Sequence, residues 1–103
     1  MEDALADQVS LESSDMNGNT LLIMAAQVGS KRMCKFLLRR GARMNAQNVS
    51  GNTVLHYTVS YGFPELTTYL ISKGAKETIL NVEGLTCYEG LSAFKAIHKE
   101  FDD

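Results

Sequence analysis

The segment Asn17-Gly18-Asn19-Thr20-Leu21-Leu22 returns as Ser50-Gly51-Asn52-Thr53-Val54-Leu55, and in outline again at Gly84-Leu85-Thr86-Cys87. Gly18, Gly51 and Gly84 stand 33 residues apart, and each is followed two positions later by a threonine. Working outward, the register holds. Leu37-Leu38-Arg39-Arg40-Gly41-Ala42 is answered by Leu70-Ile71-Ser72-Lys73-Gly74-Ala75, and Gly29 is answered by Gly62. A fixed period of this length marks a repeat architecture, in which one supersecondary unit is stacked on the next.

Each unit has a physical reading. Leu22, Ala25 and Ala26 fall at i, i+3, i+4, one face of a helix. Gly29 ends that helix, because glycine tolerates the left-handed exit. Ser30 supplies a cap for a second helix, and Pro64 in the next unit fits a first helical position. The second helix carries Met33, Phe36 and Leu37, echoed by Leu66, Tyr69 and Leu70, again at i, i+3, i+4. Gly41 and Gly74 close it. The stretch that follows is rich in Asn, Ser and Gly, and Asn17-Gly18 is a strong tight-turn pair. The expected helices lie near 20–28, 30–40, 53–61 and 64–73, with a capping helix near 88–100. Two short helices bury their apolar faces only by stacking on neighbours.

The unit resembles the ankyrin repeat, whose pattern is a turn glycine, Thr-Pro-Leu-His, a pair of alanines, a glycine, two leucines and Gly-Ala. The second unit carries Gly51, Thr53, Leu55, His56, Gly62, Pro64, Leu70, Gly74 and Ala75. The first carries Asp15, Gly18, Thr20, Leu22, Ala25, Ala26, Gly29, Leu37, Leu38, Gly41, Ala42 and Asn45. The resemblance is clear over about 15–85. It implies an all-α solenoid of stacked helix-turn-helix units with short, turn-tipped connections. There are departures. Leu21, Val54 and Cys87 replace the family proline. Thr58-Val59 replace the alanine pair, which predicts wider packing there. Glu77 stands where the first unit has Met44, and Ile79 is the candidate to supply the missing apolar contact.

At the same period Leu5 falls under Leu38 and Leu11 under Met44. The division expected is one domain over 1–103: a partial repeat at 1–14, repeats at 15–47 and 48–80, and a C-terminal capping repeat at 81–103 bearing Leu91, Phe94 and Ile97. Residues 1–14 are either a degenerate half-repeat or the cut edge of a longer array. The bulk composition agrees with a single small folded domain: of 103 residues, 45% are hydrophobic and 21% charged, a globular rather than a disordered balance. No apolar run approaches the ~18–20 residues that span a bilayer, and Met1-Glu2-Asp3 is acidic where a secretory leader is basic. Cys34 and Cys87 have no metal or redox spacing, which favours reduced thiols in an intracellular, cytoplasmic or nuclear protein. Asn48-Val49-Ser50 matches the glycosylation sequon but has no support from a secretory context.

No catalytic, cofactor or metal constellation stands out, so no enzyme is expected. His56 occupies the Thr-x-x-His position, where the resemblance implies a histidine that bridges neighbouring loops. His98 reads as solvated. Cys34 reads as a small buried hydrophobe. Cys87 at a helix start is open to a lowered pKa and reactivity, although no base partner is evident. Lys31, Arg32, Lys35, Arg39, Arg40 and Arg43 hold six of the ten basic residues, while Glu2, Asp3, Asp7, Glu12 and Asp15 precede them without a base. Two readings stand: a solvated outer face, or a basic patch for an acidic partner. Phe36 is the single aromatic residue within the run, too little stacking surface to favour nucleic acid.

The resemblance implies a protein-binding module without chemistry, using connection tips and inner helices. Carried over, the candidate partner-binding positions are Met16, Asn17, Asn19, Gln27 and Val28, then Val49, Ser50, Asn52, Ser60 and Tyr61, then Val82, Glu83 and Leu85. Several are apolar where solvent favours polar residues, and Tyr61 is the strongest anchor. For Val49 and Val82, packing on the neighbouring connection is an equal reading. The alternatives to a binding module are a spacer or end-cap of a longer array, and an acidic partner held by the basic helix at 31–43.

Overall fold

The computed structural model describes residues 14–91. Four helices follow one another: α1 (Leu21–Gln27), α2 (Lys31–Arg39), α3 (Val54–Ser60) and α4 (Pro64–Ser72). None is long enough to hold in water alone, where helices shorter than ~12–15 residues are marginal. Packing supplies what length does not. α1 packs on α2 within its own pair and on α3 of the next, and α3 packs on α4. The core is Leu22, Ile23, Ala25 and Ala26 of α1, Cys34 and Leu37 of α2, Val54, Leu55 and Tyr57 of α3, and Leu66 and Leu70 of α4.

Local sequence fixes the helix ends. Thr20 Oγ1 accepts the Ile23 N–H at 3.2 Å and Ser30 Oγ accepts the Met33 N–H at 3.1 Å, each satisfying a donor the helix leaves free. Pro64 opens α4, where its missing N–H costs nothing. At the α1–α2 junction Gly29 has φ +74°, and the Ser30 N–H reaches back to the Ala25 carbonyl at 3.0 Å. A side chain at Gly29 is disfavoured twice, since a Cβ there would also sit 2.7 Å from the Phe63 ring, which would have to turn aside.

Three expectations are corrected. Met33 and Phe36 are exposed, and α2 turns Cys34 and Leu37 inward instead. The reason is positional. Tyr69, one period after Phe36, lies against Lys31 and Lys35 of the preceding pair. Phe36 at the equivalent place in α2 likewise lies against a cation, with the Arg40 guanidinium 4.6 Å from its ring. Second, Cys87–Glu89 form a single turn and Gly90 has φ +115°, so the described start of the 88–100 segment is not helical. Its remainder, with Phe94, Ile97 and His98, lies outside the described residues, as do Leu5 and Leu11. Third, Ile79 is only half-buried, and Glu77 takes the Tyr88 hydroxyl at 2.7 Å rather than leaving an apolar gap. Thr58, in the alanine position, is fully buried, and its Oγ1 accepts from Thr67 Oγ1 at 2.8 Å.

Candidate functional site: the connection tips and inner helices

The connections are held by a polar ladder, buried at Asn48 and Asn81 and exposed at Asp15, that repeats every 33 residues. Asp15, Asn48 and Asn81 each fold a side-chain oxygen back onto two backbone N–H groups, those two and four residues on. The distances are 2.9 and 2.9 Å at Asp15, 3.0 and 3.0 Å at Asn48, and 2.9 and 3.0 Å at Asn81. These are Asx turns, which shape a tip without help from a sheet. The amide of each asparagine then reaches back one repeat. Asn48 Nδ2 donates to Asn19 Oδ1 at 2.8 Å, and Asn81 Nδ2 to Asn52 Oδ1 at 2.9 Å. The backbone follows, with Val49 N donating to Asn17 O and Val82 N to Ser50 O. Gly51 sits under this second stitch with φ +77°, and a Cβ there would meet Val82 N at 2.7 Å.

His56 ties the same region together. Its Nδ1 accepts the Thr53 N–H at 3.1 Å, so the ring proton sits on Nε2, which donates to the Leu85 carbonyl at 2.9 Å. The histidine is buried and its role is the loop-bridging one. Below it, the Tyr57 hydroxyl accepts from Asn48 Nδ2 at 2.7 Å. The Tyr57 ring leans on Tyr61 with centroids 5.7 Å apart, and Tyr61 meets Phe63 edge-on at 6.5 Å. A chain of contacts thus runs from the ladder to the aromatic residues at the end of α3.

The candidate positions divide sharply. Asn19 and Asn52 are buried, and their place in a partner-binding surface is corrected: each is an acceptor under the following repeat. Gln27 and Ser60 are half-buried, and Ser60 Oγ has no partner among the described residues. Leu85 is half-buried with its carbonyl taken by His56. Asn17, Ser50 and Glu83 are exposed. The apolar set is open to solvent: Met16 is 99% exposed, Val28 73%, Val49 66%, Tyr61 46% and Val82 71%. At Val49 and Val82 the backbone N–H binds the neighbouring tip and Val49 Cγ1 lies over Gly18, while most of each side chain is exposed. The ladder itself escaped the sequence reading, although its signal was present as Asp15, Asn48 and Asn81 at the repeat spacing.

The ionisable groups here do not suggest chemistry. Burial pushes the Cys34 thiol up to about 11. Cys87 is also raised, by burial first and then by the Glu77 carboxylate, which overturns the expectation of a lowered pKa at a helix start. The Tyr88 hydroxyl rises to about 12, chiefly because its proton is held by Glu77. Asp15 is lowered by the Asn19 backbone N–H and side-chain amide it accepts. Among the described residues no group of His, Cys, Asp and Glu is placed to hold a metal ion. No helix among them is long and apolar enough to cross a membrane.

Paired helices, left-handed glycine exits and tips stitched at a fixed period define a helical repeat protein. A family model of ankyrin repeats, in three copies, matches residues 3–81, and the chain belongs to the ankyrin-repeat family. The family is typically non-catalytic, and its repeats generally mediate binding to other proteins. No curated protein matches the chain.

Proposed function

We propose that this chain is a protein–protein interaction module that engages its partner through Met16, Val28, Val49, Tyr61 and Val82, with Asn17, Ser50 and Glu83 as a polar rim. One observation carries the reading. Exposed apolar side chains recur at the repeat spacing, as Met16, Val49 and Val82 at the tips and as Val28 and Tyr61 at the inner helix ends. Apolar groups gathered within a polar rim are the mark of an interface. Tyr61 is the natural anchor, being partly immobilised by Tyr57 and Phe63 before any partner arrives. Two buried free thiols support an intracellular setting.

The test is capture from cell extract with wild-type protein and with Tyr61→Ala. Loss of a central aromatic anchor costs about 2 kcal/mol or more of binding. Its ring contacts are worth about 0.5–1.5 kcal/mol each, so a modest fall in melting temperature accompanies the loss. Capture that survives the substitution favours the spacer or end-cap reading. Unfolding would make Tyr61 a core residue.

A further inference from the structure

On the opposite face of the stack, α2 and α4 bound a groove of about 580 Å³ lined by Lys35, Leu38, Arg39, Ala42, Met44, Tyr69 and Lys73. Leu38, Ala42, Met44 and Tyr69 give it an apolar lining, and Lys35, Arg39 and Lys73 a cationic one. Three ammonium groups from two repeats converge on one ring: Lys31, Lys35 and Lys73 Nζ lie 5.3, 5.9 and 5.8 Å from the Tyr69 centroid. One ring attracts cations but does not neutralise them, and gathering three like charges around it is unfavourable unless an anion joins them. Among the described residues no carboxylate is paired with Lys31, Lys35, Arg39 or Lys73. Glu65 lines the adjoining depression with Lys31, Tyr69 and Ser72, and it is the acid that borders this cluster.

We infer that this groove is a second docking surface, and that its occupant is an acidic peptide segment with an apolar side chain between carboxylates. The charge complementarity is direct: carboxylates meet Lys31, Lys35, Arg39 and Lys73, while the apolar side chain lies on Leu38, Ala42 and Met44. A volume of this size holds a large side chain with its flanking backbone. The arrangement is more specific than a charged helix face. Arg32 and Arg40 share α2's charge run but lie outside the groove, and Arg40 is stacked on Phe36 at 4.6 Å. This surface does not depend on the inner-surface reading, and neither Tyr61 nor the tips contribute to it.

The test is fluorescence anisotropy with a fluorescein-labelled peptide carrying one leucine flanked on both sides by glutamates. A second peptide has glutamines in place of the glutamates, and oligothymidylate serves as a polyanion of another class. The glutamate peptide is expected to bind and the glutamine peptide not. Binding should weaken at least about tenfold in Lys35→Glu with Lys73→Glu, and stay within about twofold in Arg32→Glu with Arg40→Glu, which changes net charge equally. Lys35→Gln with Lys73→Gln, checked by its melting curve, gives the same direction without introducing repulsion. Raising the salt from about 50 to 300 mM should weaken binding several-fold, as screening of exposed charge requires. Failure of the glutamate peptide to bind, equal losses in the two reversal variants, or oligothymidylate binding as tightly as the peptide each overturns the inference.

Discussion

Within a few residues at each connection tip, two kinds of side chain behave in opposite ways. Asn48 and Asn52 are polar and buried, whereas Val49 between them is apolar and exposed. The same inversion holds at Asn81 and Val82, and at Asn19 and Met16. Polar burial is costly unless every donor and acceptor is matched, and here the matching is what shapes the tip. The apolar side chains lie mostly in solvent, which is why the proposed interface rests on them. The polar residues of a tip build it.

Breaking the inner half of that contrast has the largest effect. Asn48→Leu removes the acceptor of the Ser50 and Asn52 N–H groups and the donor to Asn19 and Tyr57. Each buried group left unmatched costs about 1–3 kcal/mol, so the substitution should destabilise by about 3 kcal/mol or more. Urea unfolding measures it. A cost below about 1 kcal/mol would mean that water substitutes freely for the ladder.

Close approach comes next. Gly51→Ala meets both a left-handed backbone and the Val82 amide, while Gly84, with the same φ of +77°, has open space where its Cβ would be. Gly84→Ala should cost only the conformational penalty of about 1–2 kcal/mol, and Gly51→Ala should cost visibly more. Equal midpoint shifts for the two would show that the tips do not press on each other in solution.

The outer half of the contrast is probed by Met16→Ser with Val49→Ser. Exposed substitutions change stability by about 0.5 kcal/mol or less, so the melting curve should stay in place while partner capture weakens. A large drop in stability with capture unchanged would move both residues from the interface to the core.

The repeat and the helices were legible because glycine, threonine, serine and proline punctuate the chain at fixed offsets. All four helices fall within a residue of the bounds those signals set. The facing of α2 was not legible. Cys34, Leu37 and Leu38 form an i, i+3, i+4 set as good as Met33, Phe36 and Leu37, so the pattern alone does not say which face turns inward. Asn19 and Asn52 were misplaced for a related reason. A polar residue beside a turn reads as solvent-facing until the asparagine that covers it, 29 residues later, is seen in place. The convergence of Lys31, Lys35 and Lys73 on Tyr69 is likewise a product of stacking, since Lys73 joins the other two only when α4 lies beside α2.

The smallest effect separates the ladder's first rung from the others. Asp15 does at its tip what Asn48 and Asn81 do at theirs, yet it alone of the three is ionisable. Its carboxylate is held below the ordinary value of 3.8 because the Asn19 N–H and side-chain amide, and then the Asn17 N–H, donate to the charged form. A group whose folded pKa is depressed stabilises fully above its unfolded pKa, and that contribution is lost as pH falls through the folded value. The loss therefore begins near pH 4 and continues below it. Asp15→Asn keeps an oxygen for the two backbone N–H groups, but it turns a donor toward the Asn19 amide and cannot titrate. The variant should be slightly less stable than wild type at neutral pH and lose less stability between about pH 4 and 2, so that the two converge in acid. The shift is small because Asp15 is exposed and its interactions are screened. Parallel acid melting curves would show that the first tip is held by its backbone and not by the charge.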